Sequence, residues 1–154
     1  MSTFREKYAD AVCISSEDNR PTVVLRDKRQ PRKFIGKNPD GKLFLTVYQV
    51  DGKLIASDVR SGKCDFAIYT SSDTLYLIEL KGADYVHALE QIHDTIVRLV
   101  SSDVKVKVVN ARVVLSKVQT PALRSSVETK LTRLLQKYKG DLQKASVQMQ
   151  ETLK

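Results

Sequence analysis

Residues 63–81, Lys-Cys-Asp-Phe-Ala-Ile-Tyr-Thr-Ser-Ser-Asp-Thr-Leu-Tyr-Leu-Ile-Glu-Leu-Lys, constrain this chain more than any other stretch. Two runs rich in β-branched and aromatic residues flank a polar Thr-Ser-Ser-Asp-Thr segment, which predicts a β-hairpin. A loop of odd length centred on Ser72 places Asp65 directly opposite Glu79. Opposed side chains share a face, with Cβ atoms about 5 Å apart. Alternation along the strand brings Lys81 to that face as well. Glu79 closes an apolar run that begins at Leu75, and Asp65 precedes another, so both acids sit at the edge of buried strands. Buried carboxylates need a partner or a metal. Mg²⁺ suits such a pair, because it binds through one or two carboxylates and keeps several waters for a phosphate substrate. The plain alternative is two solvated charges at strand ends.

The order Asp65, then Glu79-Leu80-Lys81 across a hairpin, then a helix carrying Gln91, resembles the active site of the PD-(D/E)xK nuclease superfamily, over residues 63–100. Cys64 stands where the family's name has Pro. The resemblance implies an α/β fold of restriction-endonuclease-like or Holliday-junction-resolvase-like type: a mixed sheet flanked by helices, with a core of helix, three strands, helix, strand. It implies Mg²⁺ or Mn²⁺ held by Asp65, Glu79 and the backbone carbonyl of Leu80. It gives Lys81 the task of positioning or activating a water, and Gln91 that of orienting the water or a phosphate. Glu6 and Glu17 are the candidates for the family's further acid.

Charge points the same way. The 154 residues hold 26 Lys and Arg against 18 Asp and Glu, a net +8, which suits a polyanionic partner such as nucleic acid. Lys28, Arg29, Arg32 and Lys33 form a basic block, and Lys63 lies beside Asp65; these are candidate phosphate contacts. The hydrophobic fraction of 42% suits a globular core. Cys13 and Cys64 have no framework or metal-ligand spacing, and Cys64 reads as a small buried hydrophobe. The N-terminus lacks the apolar stretch of a secretory signal, and no run reaches the roughly 18 apolar residues of a membrane span. A cytoplasmic setting without membrane contact is therefore expected.

Thr3 and Glu6 form a capping-box pattern that opens a predicted helix over 3–12. A polar connection is expected over 15–21 and a strand over 22–25. Asn-Pro-Asp-Gly at 38–41 signals a turn. Residues 43–50 and 54–56, joined by Asp51-Gly52, read as a second hairpin. Asp84 caps a helix over 85–100 whose apolar stripe packs on the sheet. Its His87 and His93 lie six apart, which is no metal spacing, and read as structural or surface groups. A long strand over 104–115, with an irregularity near Asn110, completes a parallel crossover. Pro121 opens a basic amphipathic helix, and 142–153 reads as a second short helix or a frayed tail. The domain expectation is a nuclease-like α/β domain over 1–120 and a C-terminal helical extension over 121–154, packed on it or at a homodimer interface.

The expected function is a Mg²⁺-dependent nuclease hydrolysing DNA phosphodiesters, as an endonuclease, with DNA as partner. A non-catalytic, nuclease-like nucleic-acid-binding or regulatory subunit is the alternative.

Overall fold

Runs of β-branched and aromatic residues recur along the chain, and they build three sheets, of six, three and two strands. A computed structural model describes residues 1–28, 31–56, 63–80, 84–116 and 126–154. In chain order its elements are β1 (Ser2–Thr3), α1 (Phe4–Lys7), β2 (Ile14–Asp18), β3 (Thr22–Arg26), β4 (Lys33–Lys37), β5 (Leu45–Gln49), β6 (Phe66–Thr70), β7 (Thr74–Leu80), α2 (Tyr85–Leu99), β8 (Val104–Lys105), β9 (Val108–Leu115), α3 (Ser126–Lys137), β10 (Leu142–Ser146) and β11 (Gln148–Thr152). This is a mixed α/β fold.

A six-stranded sheet runs β10-β9-β7-β6-β5-β2, and a three-stranded sheet runs β11-β4-β3. In the larger sheet β2, β5, β6 and β7 are antiparallel neighbours, while β7, β9 and β10 are parallel. Every residue of β7 is buried, as its unbroken apolar run requires of a strand covered on both faces. Alternation divides the coverings. Leu75, Leu77, Val109, Ala111 and Val113 pack under Phe4 of α1, Leu89, Ile92 and Ile96 of α2, and Leu131 and Leu135 of α3. Tyr76, Ile78, Leu80 and Val114 face the small sheet through Val23, Phe34 and Met149.

Several expectations hold. The Thr3–Glu6 capping box forms, Asp84 caps α2 by accepting from the His87 N–H, and β7, α2 and β9 make the parallel crossover. The turn over 38–41 forms, with Asp40 and Gly41 both at φ 59°.

Others need correction. The first helix is one turn, Phe4–Lys7, because Tyr8 leaves helical geometry. Ile14–Asp18 is a strand rather than a polar connection, pairing with β5. Lys33–Lys37 is likewise a strand, starting at the last residue of the basic block. The second hairpin is absent: residues 50–55 make a small turn closed by an Asp51–Ile55 bridge, and β5 pairs instead with β2 and β6. The irregularity near Asn110 lies earlier, between β8 and β9. The wholly helical extension is also corrected. After α3, residues 142–152 form β10, which completes the large sheet against β9, and β11, which joins the small sheet against β4. Pro121 lies outside the described residues.

Candidate active site

The hairpin register is the one expected. Phe66 pairs with Ile78 and Ala67 with Leu77, so the next step outward sets Asp65 opposite Glu79. Its loop is tight, with Asp73 at φ 61° accepting the Tyr69 hydroxyl. Asp65 donates its backbone N–H to Glu79 Oε1 at 3.0 Å, and Asp65 Oδ2 accepts the Leu80 N–H at 2.8 Å. Each acid therefore holds the strand that carries the other. Both continue the face whose apolar members lie beneath α2, and Glu79 is 2% exposed.

The residues before Asp65 are anchored to α2. Lys63 N donates to Gln91 Oε1 at 3.2 Å, and Cys64 N donates to Thr95 Oγ1 at 2.9 Å. Gln91 Nε2 also lies 3.3 Å from His87 Nε2. His87, Gln91 and Thr95 are each four residues apart, so they line one helix face. The Cys64 thiol is wholly enclosed, and burial, reinforced by the charges of Glu79 and Asp65, pushes its pKa well above the ordinary value. It stays protonated and contributes no soft thiolate.

The donor set at this hairpin is thus two hard carboxylates plus backbone oxygen, which fits Mg²⁺ or Mn²⁺ and not the softer zinc sites. Among the described residues no group of three or more His, Cys, Asp or Glu gathers to hold a metal. Lys81 and Arg29 lie outside the described residues. Glu6 is engaged in the α1 capping box. Glu17 pairs with Arg5 and accepts the Thr46 hydroxyl, and Arg5, through hydrogen bond and charge, holds its carboxyl below the ordinary range. Neither candidate for the further acid joins the pair. The hairpin pattern marks neither Thr95 nor Asp51 as a site residue. Thr95 was findable, since it follows Gln91 by one helical turn. Local sequence marks Asp51 only as a turn residue, not as the partner of Lys63, whose Nζ lies 3.2 Å from its Oδ1.

Lys63 is therefore committed to an ion pair, with its side chain 11% exposed. Arg32 is also buried, at 2.5 Å from Asp27 Oδ2, where it braces the turn between β3 and β4. Lys28 is exposed and Lys33 partly so. Their position follows from a chain of backbone bonds. Leu80 pairs with Val114; Leu115 accepts the Val147 N–H at 2.7 Å; Val147 accepts the Lys33 N–H at 3.0 Å. The basic turn thus stands at the same end of the molecule as Asp65 and Glu79.

The apolar stripe of α3 faces inward: Leu131 and Leu135 are buried in the core, with Val127, Leu134 and Tyr138 packed around them. It is not a free dimerisation surface. No helix of the described residues is long and apolar enough to cross a membrane. The chain matches no family model, no curated protein and no solved structure.

Proposed function

We propose that the chain is a Mg²⁺-dependent nuclease that hydrolyses phosphodiester bonds of DNA. One observation carries the reading: Asp65 and Glu79 stand opposite each other on a buried hairpin, facing the helix layer and hydrogen-bonded to each other's strands. The order α1, β5, β6, β7, α2, β9, with β2 to β4 inserted after α1 and β8 before β9, is compatible with the helix, three strands, helix, strand order of the restriction-endonuclease-like core. The net charge of +8 and the basic turn at the same end add support.

Asp65 and Glu79, with the Leu80 carbonyl, would hold the metal. The bound ion supplies Lewis acidity at the phosphate and lowers the pKa of a water. The Lys81 ammonium offsets charge developing on the phosphate oxygens as the water oxygen bonds to phosphorus and the P–O bond to the leaving oxygen breaks. Gln91 takes the Lys63 N–H with its Oε1 and so holds the strand before Asp65; orienting the water or a phosphate would fall to its amide nitrogen. Exposed cations of the β3–β4 turn track the phosphate backbone.

A panel of labelled duplex, single-strand, flap and four-way-junction DNA, with RNA counterparts, tests the reading. Cleavage with Mg²⁺ or Mn²⁺, stopped by chelation and absent in Asp65→Asn and Glu79→Gln, is the expected result. The reciprocal bonds favour one rival, in which the carboxylates only clamp the hairpin and the protein binds nucleic acid without cutting. No cleavage of any substrate, with no heat on Mg²⁺ titration, would select that rival.

A further inference from the structure

Three successive backbone N–H groups lead into β6, and a side chain receives each of them. Gln91 Oε1 takes the N–H of Lys63, Thr95 Oγ1 that of Cys64, and Glu79 Oε1 that of Asp65. Glu79 is one of the two carboxylates; Gln91 and Thr95 come from α2. The Thr95 hydroxyl donates its own proton to the Gln91 carbonyl at 2.7 Å, the usual back-bond of a helical threonine, and this directs its oxygen to accept from Cys64. Thr95 is fully buried. A β-branched residue with a hydroxyl is a poor choice for an enclosed helix position, where valine would fill the same space without a polar atom.

We propose that Thr95 is a positioning residue for the Asp65–Glu79 pair, acting through the Cys64 backbone. This rests on the metal-dependent reading above. The Thr95 hydroxyl fixes the Lys63–Cys64 peptide, one step before Asp65, against α2. Asp65 then presents its carboxylate to Glu79 at one separation. Mg²⁺ demands near-ideal octahedral geometry, so a small displacement of one ligand is felt as lost affinity. The neighbouring Gln91–Lys63 bond holds the same segment one residue earlier and leaves the Cys64 N–H to Thr95.

The test measures Mn²⁺ binding by calorimetry on the full chain, with melting temperature and the Mg²⁺ dependence of cleavage alongside. Thr95→Val keeps the shape and removes the acceptor. It is expected to weaken Mn²⁺ binding at least about tenfold, the scale for an outer partner of a metal ligand, and Thr95→Ser is expected to restore it to within about twofold. Leu135→Ala, in the α3 core, lowers the melting temperature yet keeps wild-type Mn²⁺ affinity, which separates positioning from general destabilisation. Should Thr95→Val fail to fold, Thr95→Ala against Thr95→Ser reads the same difference. Wild-type affinity in Thr95→Val, or equal affinity in the Ala and Ser variants, overturns the role of Thr95 and leaves the nuclease reading standing. A wild-type chain that binds no Mn²⁺ overturns both.

Discussion

Glu79 does two things that substitutions can separate. Its Oε1 satisfies the Asp65 N–H, and its charge is the reason to infer a metal. Glu79→Gln keeps an acceptor of the same shape, so its melting temperature should stay within a few degrees of wild type while cleavage vanishes. Glu79→Leu removes the acceptor and leaves a buried N–H unpaired, which costs about 1–3 kcal/mol. Thermal melts of the two variants check this; equal destabilisation by Gln and Leu would mean that the charge itself holds the hairpin. The Arg5–Glu17 pair makes a separate statement, about pH. Its carboxyl is held below the ordinary range chiefly by the hydrogen bond from Arg5, then by Thr46 and the Arg5 charge, against the opposing effect of burial. A carboxyl depressed in the folded state contributes stability above its unfolded pKa, about 4.3, and loses that contribution as pH falls through the folded value. Glu17→Gln should therefore destabilise at pH 7 and converge on wild type at lower pH. A difference that is constant from pH 7 to pH 3 would remove the pair from the account. At this scale the sequence was readable where partners are near in the chain. The Thr3–Glu6 box and the Asp84 cap span three residues, and the Asp65–Glu79 register follows from a single tight loop. Arg5 with Glu17, and Lys63 with Asp51, join segments whose approach no local spacing encodes.

At the C-terminus, distant partners decide the structure against local propensity. Residues 142–153 place Leu142, Ala145, Met149 and Leu153 at helix-like intervals among Gln, Lys and Glu, all of which favour helix. Two different sheets recruit them: Leu142 pairs with Ala111 and Met149 with Phe34, both parallel and remote in sequence. Tertiary pairing overrides propensity here, and the change of sheet occurs at one residue. Val147 adopts φ 65°, a left-handed geometry that opposes a β-branched side chain. Such a residue costs roughly 1–2 kcal/mol there. Val147 is already 42% exposed, so Val147→Asn gives up little burial and should raise stability by about 0.5 kcal/mol, asparagine being tolerated in that region. A fall in the denaturation midpoint would show that the valine side chain matters more than its backbone. The same junction is tied by Arg112. Its guanidinium meets Asp141 at 2.9 Å and Glu151 at 2.6 Å, joining β9 to the start of β10 and to β11. Glu151 is largely enclosed, so Arg112→Met leaves a buried charge without its partner and should cost about 3 kcal/mol. For a chain of this size that lowers the melting temperature by roughly 10 °C. A shift of a degree or two would mean that water replaces the arginine.

For the whole molecule, the decisive feature is which end carries what. The β3–β4 turn was recognisable in the sequence as basic, but not as a neighbour of Asp65 and Glu79. That proximity comes from β11, which pairs with β4 and draws the turn to the C-terminal edge of β7, β9 and β10. The structure also divides the block. Arg32 is buried against Asp27, whereas Arg26 and Lys28 are exposed. A nucleic acid placed over the carboxylate pair would meet the exposed two and not the buried one. Under the proposed function, binding at this surface would be electrostatic, so the logarithm of affinity should fall linearly with the logarithm of salt, with a slope of about −0.9 per phosphate neutralised on duplex DNA. Replacing Arg26 and Lys28 with Ala together should make that slope shallower by about 2 and weaken binding evenly across sequences. Because both side chains are in solvent, the melting temperature should hold within about 3 °C, surface changes of this kind staying near ±0.5 kcal/mol each. Arg32→Ala should do the reverse, lowering the melting temperature by removing the Arg32–Asp27 ion pair that braces the turn, with a smaller change in slope. Fluorescence anisotropy of a labelled duplex, titrated at several salt concentrations for the three proteins, reads both effects. A wild-type affinity that stays flat from low to physiological salt, or a double variant with an unchanged slope, would remove the β3–β4 turn from the substrate path.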